Sequence, residues 1–157
     1  MKHTLSVMVE NKPGVLARVA GLFARRGFNI DSLAVGVTDK PEVSRMTVVV
    51  NVEEHSLEQV YKQLNKLINV IKVIDLPDDN SVQREMVLAK VKADGGTRAE
   101  VIEIVEIFRG KIVDVGSGTL SVEVTGPGSK LRAFEDLLRP YGLVEMVRTG
   151  TIALPRG

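Results

Sequence analysis

The chain has no cysteine and no tryptophan, only two histidines, and only four phenylalanines and two tyrosines in 157 residues. Without cysteine there are no disulfides and no thiolate chemistry, a composition compatible with the cytoplasm, where the chain is expected to work. His3 lies near the terminus and His55 just ahead of a helix start. They do not form the ligand cluster that a metal site needs, and both are expected at the surface. No charge sign dominates: 21 Lys and Arg face 20 Asp and Glu, a net charge of +1. With so few stacking rings, that balance argues against a nucleic-acid partner. No apolar run approaches the ~20 residues of a membrane span. Met1-Lys2-His3-Thr4 opens no signal-peptide apolar region, so neither insertion nor export is expected. What remains is 44% hydrophobic and 26% charged, as in globular proteins.

What is present is a pattern that occurs twice. Leu5 to Glu10 alternates like a half-buried strand. Val15, Leu16, Val19, Leu22 and Phe23 then recur at helical spacing, and Gly27 stops that helix. Ile30 to Val37 and Arg45 to Val52 read as strands around a polar turn, Thr38 to Glu42. Ser56 and Gln59 have capping-box spacing. Behind them Leu57, Val60, Tyr61, Leu64, Leu67 and Ile68 line one helical face, and Val70 to Leu76 is a fourth strand. Pro77 to Ser81 is polar and turn-rich. The order then repeats. Arg84 to Ala93 is a strand and Thr97 to Arg109 a helix. Lys111 to Val115 and Thr119 to Thr125 are strands joined by Gly116-Ser117-Gly118. Ser129 to Arg139 is a helix ended by Pro140, Leu143 to Arg148 a last strand, and Thr149 to Gly157 a tail.

Two βαββαβ units follow, an α+β class of two ferredoxin-like sandwiches, each an antiparallel sheet with two helices on one face. The expected division is residues 1–77, a linker at 78–82, and residues 83–157. In strand order 4-1-3-2 the second strand lies at an edge. In the first unit that strand is "IDSLAVGV", with one charge, no Lys and no Pro. So bare an edge invites pairing with another chain, most simply its own copy, giving a homodimer. A loop or tail lying over that edge is the other reading.

Catalytic constellations are missing from the pattern. Gly116-Ser117-Gly118 precedes a strand where a dinucleotide fingerprint requires a helix. Gly126 to Lys130 lacks the Gly-Lys-Ser/Thr order of a phosphate loop. Asp78-Asp79 and Glu53-Glu54 are adjacent carboxylates in turns. No catalytic residue and no metal ligand is assigned, and no cofactor is expected in this chain.

One feature does suggest chemistry. Thr97 and Glu100, like Ser56 and Gln59, can close their own helix ends. Asn11-Lys12-Pro13-Gly14 cannot, because Gly14 has no side chain to fold back. The first helix would leave N–H donors free near Gly14 and Val15. Free donors and the helix dipole favour a carboxylate or phosphate, and Gly14 allows close approach. A plain Pro-Gly turn capped by Asn11 is the competing reading.

"NKPGVLARVAGLFARRGFNIDSL", the "SRMT" that follows, "EQVYKQLNKLINVIKVIDL", "REMVLAKV" and "EIFRGKIVDV" together resemble the regulatory (small) subunit of acetohydroxyacid synthase, also called acetolactate synthase, over nearly the whole chain. The resemblance implies an N-terminal ACT domain for effector binding and dimerisation, ahead of the second ferredoxin-like domain. It implies a non-catalytic partner of a large catalytic subunit that carries thiamine diphosphate, Mg²⁺ and FAD. It implies stimulation of that subunit and feedback inhibition by a branched-chain amino acid, most often valine, in branched-chain amino-acid biosynthesis. In that family the effector lies between two ACT domains. The matching positions here are Asn11, Gly14 and Val15 of one protomer with Asn29 and Ile30 of the other, with apolar walls from Val15, Leu16, Ile30 and Leu33. Two other classes stand beside this one: a stand-alone ACT-type amino-acid sensor acting on another enzyme or a transcription factor, and a small enzyme with an interface site. Absence of a DNA-binding segment counts against the sensor, and absence of clustered ionisable residues against the enzyme.

Overall fold

Alternation along β1 (Lys2–Glu10) turns Leu5, Val7 and Val9 to one face of a sheet, and both helices of the first unit pack on that face. The computed structural model describes residues 1–157, apart from the side chains of Glu54 and His55. The surface position expected for His55 therefore lies outside the described residues.

The first unit runs β1, α1 (Val15–Arg25), β2 (Ile30–Val37), β3 (Val43–Asn51), α2 (Glu54–Lys66) and β4 (Val70–Asp75). Its four strands are antiparallel in the order β2-β3-β1-β4, the expected arrangement read from the other end. Val15, Val19, Leu22 and Phe23 of α1 join Leu57, Val60 and Leu64 of α2 over Leu5, Val7, Met46 and Val48. Two expected inward residues turn out instead. Leu16 is 45% exposed, because Val15 already occupies the core-facing position of that turn. Ile68 is 87% exposed, because the helix ends at Lys66 and Leu67 is extended.

Ser56 does not cap α2. The helix begins at Glu54, three residues before a Ser56 cap would place it, with Glu53 at the N-cap and no side-chain cap bond. The negative charge of Glu53 suits the positive end of the helix. His3, expected at the surface, is half-buried, and its Nε2 is enclosed without a partner. It sits on the helix-facing side of β1, two residues before Leu5.

The second unit repeats the plan with β5 (Ser81–Lys92), α3 (Arg98–Ile107), β6 (Lys111–Val115), β7 (Thr119–Gly126), α4 (Gly128–Leu138) and β8 (Leu143–Arg148), its sheet running β6-β7-β5-β8. Val87, Ala89 and Val91 face Val101, Val105, Leu131, Phe134 and Leu138. Phe108 meets Phe134 edge to face, with ring centres 5.3 Å apart. Gly116 donates its N–H to the Thr119 carbonyl at 2.9 Å, the hairpin turn expected there.

The compact units are residues 1–82 with 150–157, and residues 83–149. The tail thus departs from the expected division. It carries a strand, β9 (Ile152–Pro155), and from Gly150 onward it belongs to the first unit. Thr151 donates its N–H to Ser32 Oγ at 2.7 Å, Arg156 donates to the Asn80 carbonyl at 3.0 Å, and Thr151 and Ala153 are buried. The expected linker is also structured: Asp78–Asn80 form a 3-10 turn, and β5 starts at Ser81.

The parity of the β2–β3 hairpin fixes what the outer edge offers. Thr38 donates to the Val43 carbonyl at 2.9 Å, and the register pairs Val37 with Ser44, Val35 with Met46 and Leu33 with Val48. Hydrogen-bonded and non-bonded pairs alternate, so Leu33, Val35 and Val37 turn their N–H and C=O groups away from β3. Val35 and Val37 are 47% and 60% exposed.

Candidate functional site

The start of α1 is held from three directions. Glu10 donates its N–H to the Asn69 carbonyl at 2.9 Å, and Asn11 donates to the Glu42 carbonyl at 2.9 Å. The Asn11 side-chain amide donates to the Pro41 carbonyl at 3.0 Å. Asn11 therefore braces the β3 approach and does not cap the helix, which removes the Pro-Gly turn capped by Asn11 as an explanation.

The N-cap is Gly14, at φ +83°, with no side-chain cap bond and no acidic residue in the first turn. A left-handed φ at this position suits glycine, since an L side chain there costs about 1–2 kcal/mol. A Cβ at Gly14 would meet nothing within 4 Å, so the backbone faces open space. Of the donors, Val15 N–H reaches the Lys12 carbonyl only at 3.4 Å, so it is weakly engaged rather than free as expected. The N–H groups of Leu16 and Ala17 have no partner among the described residues. Arg18 is the first residue bonded in helical fashion, to the Gly14 carbonyl at 3.1 Å.

Charged and amide side chains line the approach. Lys12 Nζ lies 2.8 Å from Glu10 Oε2, the Asn69 amide donates to the same oxygen at 3.3 Å, and Arg18 donates to Asn69 Oδ1. The Glu10 carboxyl is held below its usual range, first by its bond from Lys12, then by Asn69 and the Lys12 charge. Lys12 and Arg18 outweigh Glu10 by one positive charge, which again favours an anion. Sequence reasoning missed Arg18 and Asn69. They lie 51 residues apart in the chain, and only strand pairing brings them to one place.

Asn29 is exposed just before β2, and Ile30 opens that strand, half-buried against the first core with Leu33. Asn11, Gly14 and Val15 share one helix start. No hydrogen bond links them to Asn29 or Ile30 among the described residues. The Val15 side chain is committed to the core, so only its backbone is available. Of the four expected apolar walls, Leu16 is the one open to solvent beside the helix start.

The start of α3 differs. Thr97 is the N-cap of α3 but makes no side-chain cap bond, so the expected Thr97–Glu100 box does not form. Asp94 replaces it: its Oδ1 accepts the N–H groups of Gly96 at 2.9 Å and Thr97 at 3.2 Å, and the Thr97 hydroxyl at 3.3 Å. Among the described residues there is no group of three His, Cys, Asp or Glu side chains placed to hold a metal ion. Among the described residues no helix is long and apolar enough to cross a membrane.

Comparison with known proteins follows the same two halves. A family profile described as "AHAS small subunit-like ACT domain" matches residues 5–72, and one described as "Small subunit of acetolactate synthase" matches residues 84–157. The acetolactate synthase small subunit of Mycolicibacterium smegmatis is 57% identical over 155 residues, 99% of this chain and 91% of that protein. The probable acetolactate synthase small subunit of Archaeoglobus fulgidus is 55% identical over 157 residues, covering 100% and 98%. The crystal structure of the acetolactate synthase small subunit from Thermotoga maritima superposes with a TM-score of 0.95 at 44% identity, over 100% of this chain and 98% of that one. With matching sequence across both units and the same fold, the chain belongs to the family of acetolactate synthase small subunits, and its first half is their ACT domain.

Proposed function

We propose that this chain is a regulatory, non-catalytic subunit that joins a large catalytic acetolactate synthase subunit, raises its rate and makes it sensitive to a branched-chain amino acid, with valine as the effector. Thiamine diphosphate, Mg²⁺ and FAD belong to that partner. The observation that carries the reading is the α1 start: an uncapped helix with a left-handed glycine facing open space. The family sets the reaction it serves.

Valine would place its carboxylate against the N–H groups of Leu16 and Ala17, near the positive charges of Lys12 and Arg18. Such a contact is worth about 0.3–1 kcal/mol at an exposed helix end and up to ~2 when partly enclosed. One protomer leaves this site open on one side. A second copy, paired edge to edge through the outward groups of Leu33, Val35 and Val37, would bring Asn29 and Ile30 of its own β2 to close it. Leu16 and Ile30 then supply apolar contact for the isopropyl group.

Titration calorimetry of valine into the full chain tests the binding step. The expected result is saturable heat with no more than one valine per chain. Absence of heat at millimolar valine overturns the effector assignment.

A further inference from the structure

Gly150 and Thr151 lie against the middle of β2, within the first unit. A Cβ built on Gly150 would overlap the Leu33 carbonyl oxygen, and would stand 2.6 Å from that carbonyl carbon and 3.1 Å from the Ala34 nitrogen. All three atoms belong to one peptide plane. Gly150 is therefore stacked on the Leu33–Ala34 peptide, where only a residue without a side chain fits. One residue on, Thr151 is buried and donates its N–H to Ser32 Oγ at 2.7 Å. Leu33 packs into the helix-covered core, so Ser32 and Ala34 point to the opposite face, and the tail rests on that face.

This contact falls beside a break in the pairing of β2. The strand is at an edge, so only β3 pairs with it, and its register slips between Ile30 and Ser32. Asn29 and Ile30 stand immediately before the slip. A strand start paired on one side only, next to a register slip, has freedom to lose when it contacts a ligand, and anything that fixes it beforehand lowers that cost.

We propose that Gly150 and Thr151 form a positioning clamp: by fixing β2 at Ser32–Ala34, they hold Asn29 and Ile30 in the arrangement that receives the effector. The inference rests on the effector reading above, and it makes the C-terminal tail part of the regulatory site without touching the ligand. Linkage makes the effect reciprocal, so bound effector also seats the tail more firmly.

The test uses the full chain with its cognate large subunit, as wild type, Ser32→Ala and Gly150→Ala, with valine as the probe. Ser32→Ala removes one acceptor and leaves every backbone atom in place. It should raise the valine concentration for half-inhibition about fivefold, the equivalent of one ordinary hydrogen bond. Gly150→Ala should raise it further, and the stimulated rate without valine should be unchanged in both. Hydrogen exchange supplies a readout independent of activity. Amides of residues 30–34 should exchange faster in both variants, and valine should slow exchange of the Thr151 N–H in the wild type. Unchanged exchange in both variants overturns the clamp. Faster exchange with an unshifted valine curve overturns its coupling to the site. A wild-type holoenzyme indifferent to valine, with exchange still faster in the variants, instead removes the effector reading and the coupling built on it, and leaves the clamp itself standing.

Discussion

Asp94 accepts the backbone N–H of Thr97 at 3.2 Å and its hydroxyl at 3.3 Å, so a side chain three residues upstream closes the start of α3. No side chain does the same for α1. The first helices of the two βαββαβ units thus differ at their starts, which is where a ligand would need free donors.

Asp94→Ala should therefore lower the denaturant midpoint of the chain and leave valine binding untouched. Bonds from the N–H of Gly96, then from Thr97, hold the Asp94 carboxyl below its ordinary value of 3.8. A depressed folded-state value means that the stabilisation is complete above the unfolded value and is lost as pH falls through the folded one. The midpoint gap between wild type and variant should be constant near neutral pH and close below about pH 4, as unfolding curves at several pH values would show.

Arg148 joins β8 to two carboxylates of the second unit, with Nη2 3.0 Å from Glu85 and Nη1 3.4 Å from Glu135. Glu135 is buried. Arg148→Ala leaves it without its closer cation, and only the longer contact to Arg139 at 3.8 Å remains. The expected loss is about 2–3 kcal/mol in chemical denaturation, below the full cost of breaking a deeply buried pair because Arg148 itself is partly solvated.

Val35→Pro should weaken self-association while sparing the fold. Register and hairpin parity turn the Val35 N–H to the outer edge, so proline deletes a donor that β3 does not use. Sedimentation should show a wild-type dimer at micromolar concentration and a variant shifted toward monomer. A monomeric wild type would show that β2 is not the pairing edge.

The architecture was legible because its signal is local. Alternation in β1 and helical spacing in α1 each span fewer than twelve residues, and β2 and β8 have the expected bounds. Helix capping was less legible. Thr97 with Glu100 and Ser56 with Gln59 have box spacing, yet Asp94 outcompetes the first and an earlier helix start displaces the second. Spacing shows which side chains can cap, not which approach a helix end from outside it. Least legible was the tail, whose contact with Ser32 spans 119 residues. The bare α1 start was correctly read from Gly14, but its polar surround was not, since Asn69 and Arg18 meet only once β1 and β4 pair.

Gly14→Asp should remove valine inhibition and leave stimulation of the large subunit intact. Aspartate is among the residues that tolerate a left-handed φ, and its side chain enters open space, so folding should survive at a cost of about 1 kcal/mol. Its carboxylate would cap the donors and repel valine's by roughly 1 kcal/mol in water, more when enclosed. Loss of bonds to a charged group adds about 1.5–3 kcal/mol. Together these weaken binding about a hundredfold, visible in inhibition curves of the two holoenzymes.

The most direct test of the whole account is acetolactate formation by a fixed amount of the cognate large subunit, titrated with this chain, with and without valine. The predicted result is no activity from this chain alone, a rate that rises to saturation as the chain is added, and a saturated rate that falls with valine. A rate indifferent to added chain, or a stimulated rate that millimolar valine leaves unchanged, would contradict it.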